Sequence, residues 1–252
     1  MSDIGLKLWS TNSGYFRDVE KYYGEGLFQY VELYAFPGSY DSTSTLWKNI
    51  KVPYVIHAPH FGQGVNPSHK EKLCENIKLS EDSFRFADLL NAEIIIFHPG
   101  VDGNVKYTAD FFNHLNDTRI IVENKPLLGL DINNKCNGYN SDELSYIMKN
   151  SSVGFCLDFG HAIATSNALK IEPFEMIASL MVLNPKIYHL SDGTYDSLTD
   201  QHLHFGDGNY PLKKIITMIP DGSKVTLETA KLYNDSLRDF PKDVRIFNEY
   251  SK

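Results

Sequence analysis

Nine residues with metal-binding side chains stand where short apolar stretches of the chain give way to polar ones. They are His57 in VIHAPH, His98 in IIIFHPG, Glu123 in IIVENKP, Asp158 and His161 in FCLDFGHA, His189 in IYHLSDG, Asp200 and His202 in DQHLHFGDG, and Glu228 in VTLETA. One histidine or carboxylate ending a strand is ordinarily a hydrogen-bonded structural residue. Five imidazoles and four carboxylates gathered in one place are not explained that way, because clustered carboxylates repel unless cations neutralise them. Imidazole mixed with carboxylate oxygen suits zinc, manganese or iron, and the lack of thiolate in the set argues for a catalytic rather than a structural site. At about four to six positions per ion, some left for water and substrate, such a set furnishes about two to three ions sharing a bridging carboxylate.

Residues so far apart in the chain need a scaffold that gathers them. Eight apolar stretches rich in β-branched residues recur at Ile4–Trp9, Tyr30–Phe36, Tyr54–His57, Glu93–His98, Arg119–Glu123, Gly154–Asp158, Lys186–Leu190 and Lys224–Glu228. Successive starts are 24 to 39 residues apart, room for a loop, a helix and a return turn, which is the spacing of a βα unit rather than of a hairpin. Between them Ser68–Leu90, with a cap expected at Ser68, Asn140–Met148 and Pro173–Val182 carry a helical apolar period. Near-continuous apolar strands such as IIIF, IIVE and FCLD suit a sheet covered on both faces. The expectation is an α/β fold, a (β/α)8 TIM barrel, in which the active site forms at the carboxyl ends of the strands. No linker or composition shift divides residues 1–252, so a single domain is expected.

The composition agrees with a folded chain of this kind. Of 252 residues, 42% are hydrophobic and 22% charged, enough apolar surface for a sizeable core. No run of apolar residues exceeds four, far short of the roughly 18 that a membrane span requires. A formal net charge of −8 gives no long-range attraction for phosphate polymers. Three scattered cysteines, Cys74, Cys136 and Cys156, form no disulfide framework and are expected to be buried thiols in a reducing, cytoplasmic compartment.

Taken together, H-A-P, F-H-P-G, V-E-N, L-D-x-x-H-A, H-L-x-D and D-x-H-x-x-x-G-x-G followed by L-E-T resemble, in order, the ligand motifs of the endonuclease IV family (AP endonuclease family 2), a branch of the xylose-isomerase-like barrels. The resemblance spans roughly residues 54 to 230. It implies three zinc ions, with manganese as the alternative metal: the first on His57, His98 and Glu123, the second on Glu123, Asp158, His189 and Glu228, the third on His161, Asp200 and His202. It also implies phosphodiester hydrolysis, a DNA-repair role at abasic sites, and catalytic parts for Glu123, which bridges and orients, and for Glu228.

Outside the ligands the likeness thins. The family's amino-terminal G-A-H-V-S-A-like element is replaced by Gly5-Leu6-Lys7-Leu8-Trp9-Ser10, its basic loop after the second strand by Phe36–Asp41, and a tyrosine after the first ligand histidine by His60. The loop Leu190–Tyr210 holds Asp192, Asp196, Asp200 and Asp207 without a basic residue, the wrong sign for counterion release from a duplex. His60 and Asn124 are expected to contact substrate, Asn124 and Lys125 being placed directly after Glu123 to reach a phosphate unless Pro126 turns Lys125 outward, and Tyr15, Phe16, Tyr34 and Tyr40 to pack the rim or stack on a ring. The second function weighed is a sugar or sugar-phosphate isomerase or epimerase of the same barrel superfamily, using one divalent ion on Glu123, Asp158, His189 and Glu228; it leaves His57, His98, Asp200 and His202 without a role as ligands.

Overall fold

Eight parallel strands pair in chain order and the eighth closes on the first: β1 (Asp3–Trp9), β2 (Tyr30–Tyr34), β3 (Tyr54–His57), β4 (Ile95–Phe97), β5 (Ile120–Glu123), β6 (Gly154–Asp158), β7 (Ile187–Leu190) and β8 (Lys224–Leu227). The computed structural model describes residues 2–129 and 132–252. The expected (β/α)8 barrel is thus the architecture observed, each strand within a few residues of its predicted bounds.

Helices α1 (Phe16–Gly24), α2 (Tyr40–Asn49), α3 (Leu73–Leu90), α4 (Val105–Leu115), α5 (Ser141–Ser151), α6 (Phe159–Leu169), α7 (Pro173–Met181), α8 (Leu212–Met218) and α9 (Phe240–Tyr250) surround the strands. Their starts follow local chemistry: Asn140 accepts from Glu143 N at 2.9 Å, and Glu172 caps α7 ahead of Pro173. Ser68 does not cap. It is buried, donates to the Val101 carbonyl, and α3 begins five residues later, after a 3-10 turn over Lys70–Lys72.

The core has two compartments. Outward-facing strand residues such as Leu33, Ile56, Phe97 and Val122 pack against the helices, while Tyr30, Val55, Ile96, Ile121, Cys156 and Ile187 fill the lower barrel interior. This inner layer is close-packed, with the Tyr30 hydroxyl hydrogen-bonded to Thr226 Oγ1 at 2.9 Å, so the polar residues above it face the open end. Cys136 and Cys156 are buried; Cys74 is exposed on α3, contrary to the expectation of a buried thiol there, because it lies on the helix face turned from the barrel. Among the described residues no helix is long and apolar enough to cross a membrane.

Candidate metal centre

All nine predicted residues converge at the carboxyl ends of the strands. Glu123, the last residue of β5, lies at the middle. Its Oε2 is 3.1 Å from His57 Nε2, 3.3 Å from His98 Nε2 and 3.5 Å from His189 Nδ1, and its Oε1 is 3.0 Å from His161 Nδ1. His189 Nδ1 is also 2.8 Å from Glu228 Oε1, and Asp200 Oδ2 lies 2.8 Å from His202 Nε2 and 3.5 Å from His161 Nε2.

The spacing D-x-x-H has a local cause. Asp158 ends β6 and is the N-cap of α6, its Oδ1 accepting from His161 N at 2.7 Å. The cap fixes the first turn, and with it the direction in which His161 leaves the helix. Gly160 lets Asp200 approach that turn: a Cβ there would stand 2.7 Å from Asp200 Oδ1. His202 takes a left-handed backbone, φ 51°, uncommon for a residue with a side chain. Its Nδ1 donates to the Glu228 carbonyl at 2.9 Å.

The tautomers follow from these partners. His57 Nδ1 faces the Ala58 carbonyl at 2.9 Å, His161 Nδ1 the Asn124 carbonyl at 2.8 Å, His202 Nδ1 that of Glu228, and His189 Nε2 the Glu32 carboxylate at 2.9 Å. Each of these nitrogens must carry a proton, so in the neutral ring the other holds a lone pair aimed into the mouth, toward a carboxylate oxygen. Lone pair facing lone pair is stable only with a cation between. Two buried atoms fit this: His189 Nδ1 and Asp200 Oδ2 lie 2.8 Å from Glu228 Oε1 and His202 Nε2, yet neither contact has hydrogen-bond geometry. The donor set therefore fits metal ions, and His57–His98–Glu123, Glu123–Asp158–His161 and Glu32–His189–Glu228 each place ligand atoms close enough to share one.

Where no metal neutralises the carboxylates, protons are drawn in. Although burial opposes it, Asp158 and Asp200 raise the His161 imidazole to about 10, and Asp200 and Glu228 raise His202 to about 9. Burial pushes Asp158 up to about 6 against the attraction of His161. Burial alone would raise Glu228, yet His189 and Lys7 hold it well below the usual carboxylate range.

The mouth opens into a cavity of about 840 Å³ bordered by Trp9, Tyr34, His60, Phe61, Lys125 and Lys231. Asp158 and His189 lie beneath its lining. His60 stacks on His98 with ring centroids 4.9 Å apart and planes 6° apart, and burial, with help from Lys125, pushes it down to about 3. It is a neutral imidazole at the entrance. Asn124 faces away, its amide engaged by the backbone of Asp158. Pro126 does not turn Lys125 outward: the lysine Nζ points into the mouth, 3.0 Å from His161 Nε2. Tyr15 and Tyr34 border the cavity, whereas Phe16 packs edge-on against Trp47 and Tyr40 against Phe86. His204 is buried with Nδ1 2.7 Å from Asp243.

Two residues escaped the sequence reading. Lys7 and Glu32 are register partners in β1 and β2. Glu32 is fully buried, its Oε2 accepting from His189 Nε2 and from Thr226 Oγ1 at 2.6 Å and its Oε1 meeting Lys7 Nζ at 2.5 Å. A charge inside an apolar strand, as in IGLKLW and YVELY, is the signal that would have found both.

The family profile described as xylose isomerase-like TIM barrel matches residues 25–244. Endonuclease IV from Thermus thermophilus superposes with a TM-score of 0.70 at 21% identity, over 98% of this chain and 98% of that one. A D-tagatose 3-epimerase-like protein does so with a TM-score of 0.69 at 22% identity, over 97% and 96%. The 3-keto-D-glucoside 4-epimerase of E. coli gives 0.68 at 11% identity, over 99% and 100%. No curated protein sequence matches the chain significantly. At these identities the structural likeness bears on the fold alone.

Proposed function

The chain belongs to the xylose isomerase-like TIM barrel family, and from that premise we propose that its mouth is a multinuclear metal centre that hydrolyses phosphodiesters, as in endonuclease IV. The observation that carries this reading is the engagement of His57 and His98 with Glu123 Oε2, at 3.1 and 3.3 Å. A single ion on Glu123, Asp158, His189 and Glu228 would leave both histidines without a task, and with them the separate cluster of His161, Asp200 and His202. Zinc is the metal the ligand chemistry favours, with manganese as its alternative.

Bound zinc would neutralise phosphate oxygens and bring the pKa of a coordinated water to about 7. The protein supplies the rest. Glu123, shared between the histidine pair and the β6–β7 side of the mouth, orients both halves of the centre. Glu228 is placed to ligate and to handle a proton, since His189 lies 2.8 Å from one oxygen and His202 3.8 Å from the other. Lys125 offers an ammonium to a phosphate oxygen, and neutral His60 can hydrogen-bond a substrate without adding charge. Abasic DNA is the substrate that the endonuclease IV resemblance implies, although the acidic Leu190–Tyr210 loop gives a duplex little attraction.

A second reading, a single-metal isomerase or epimerase of a small sugar, draws on the cavity of about 840 Å³, a volume that suits a small ligand. One comparison separates the two. Purified protein with about two to three equivalents of zinc or manganese that cleaves an abasic-site duplex or a simple phosphodiester, and loses that activity in His57→Ala, supports hydrolysis. One equivalent or none, with turnover of a keto-sugar undisturbed in His57→Ala, would overturn it.

A further inference from the structure

Lys7 sits among the metal-binding side chains rather than at their edge. Its stem rises from β1 opposite Glu32, and its Nζ lies 2.5 Å from Glu32 Oε1 and 2.5 Å from Glu228 Oε1. Only 13% of the side chain is exposed. The Glu228 oxygen it grips is the one that faces His189 Nδ1, and it stands in the sequence element where Gly5–Ser10 departs from the endonuclease IV pattern.

Resting on the multinuclear reading above, we infer that Lys7 is a resident cation that stands in for part of the metal charge and weakens the ion position built on His189 and Glu228. Two observations carry this. One is geometric: an ammonium bonded to Glu228 Oε1 competes with any ion that would use the same oxygen. The other is the balance of charge. Glu32, Glu123, Asp158, Asp200 and Glu228 place five carboxylates in and beneath the mouth, and the ammonium groups in direct contact with them are those of Lys7 and Lys125, Lys231 standing off at the cavity wall. Three formal negative charges remain. Two dications bring the site within one charge of neutrality, whereas three leave a buried surplus of three positive charges, which a low-dielectric site disfavours. Replacing Lys7 by a neutral residue frees the Glu228 oxygen and lowers the surplus that a third ion would leave from three charges to two.

The inference is tested by titrating the metal-free chain of 252 residues with zinc against a chromophoric chelator and by elemental analysis after gel filtration. The native protein is expected to hold about two ions tightly and a further one at least about tenfold more weakly. Lys7→Met is expected to hold about three tightly, and Lys7→Arg to behave as native because it keeps the charge. Should Lys7→Met leave Glu32 and Glu228 too poorly neutralised to fold without metal, Lys7→Gln provides the neutral polar substitute. In either neutral variant zinc should raise the melting temperature more than in the native chain. Three equally tight ions in the native protein, or no change in count and affinity on neutralising Lys7, would overturn the inference while leaving the multinuclear reading intact. A native protein that holds one ion or none would overturn both.

Discussion

Asn124 and Asp158 form a reciprocal pair across the tips of β5 and β6: Asn124 Oδ1 accepts from Asp158 N at 2.7 Å, and Asn124 Nδ2 donates to Asp158 O at 2.9 Å. The pair sets the separation of two proposed ligands, Glu123 just before Asn124 and Asp158 itself. Asn124→Ala would leave a buried N–H and C=O without partners and should destabilise the fold by roughly 2–4 kcal/mol. Urea denaturation of the metal-free chain measures it. Asn124→Asp keeps the acceptor, loses the donor and adds a buried charge, so it should be no better. An unaltered midpoint in both variants would contradict the pairing.

Glu32 acts through His189. By accepting from Nε2 it turns the Nδ1 lone pair toward Glu123 and Glu228, the arrangement by which a carboxylate orients a ligating imidazole. Glu32→Gln keeps an acceptor but removes the charge that Lys7 and His189 share. Zinc affinity should fall roughly 10–100-fold with the barrel's circular dichroism unchanged. Equal affinity in chelator competition would show that His189 needs no such partner.

Proton release gives a third expectation. In the metal-free chain His161 and His202 are protonated up to about 10 and about 9, so a metal must displace those protons. Zinc affinity should therefore rise between about pH 7 and about pH 9, and calorimetric heats should depend on the buffer's ionisation enthalpy. The sign for stability is the reverse. Both histidine pKa values are raised above the usual value of about 6.5, so their contribution to the metal-free fold is complete below that pH and is lost as pH rises through about 9 to about 10. Thermal melts of metal-free protein across this range check it.

Gly160→Ala would drive a methyl into Asp200, whose Oδ1 stands 2.7 Å from the added carbon. Alanine is otherwise the better helix residue by about 0.5–1 kcal/mol. The expected outcome is thus selective: a thermal midpoint within a few degrees of native, together with roughly tenfold looser metal binding at the Asp200 side. Loss of folding without loss of affinity would place the constraint elsewhere.

How much of this was legible in the sequence follows from where each residue sits. His57, Glu123 and Asp158 end their strands, where an apolar run meets a loop, and such boundaries show clearly in composition. The cap that unites Asp158 with His161 is encoded in four consecutive residues. Lys7 and Glu32 lie one layer deeper, inside β1 and β2, and their meaning depends on register, which pairs them across an interval of 25 residues. Lys125 illustrates another limit: the proline after it suggested an outward turn, but the field of Glu123 and the room between His98 and His161 draw the ammonium in. The same holds for Ser68, a good cap by type, whose hydroxyl is claimed by a carbonyl 33 residues away.

Among the described residues, the core cluster of Tyr30, Val55, Ile96, Ile121, Cys156 and Ile187 closes the barrel below the proposed ligands, so the way in is through the mouth. Whatever is made there must leave by the route through which the next reactant enters, so arrival and departure exclude each other. Spent molecules lingering at the threshold would then act as competitive inhibitors, and turnover would be governed by how quickly the entrance clears.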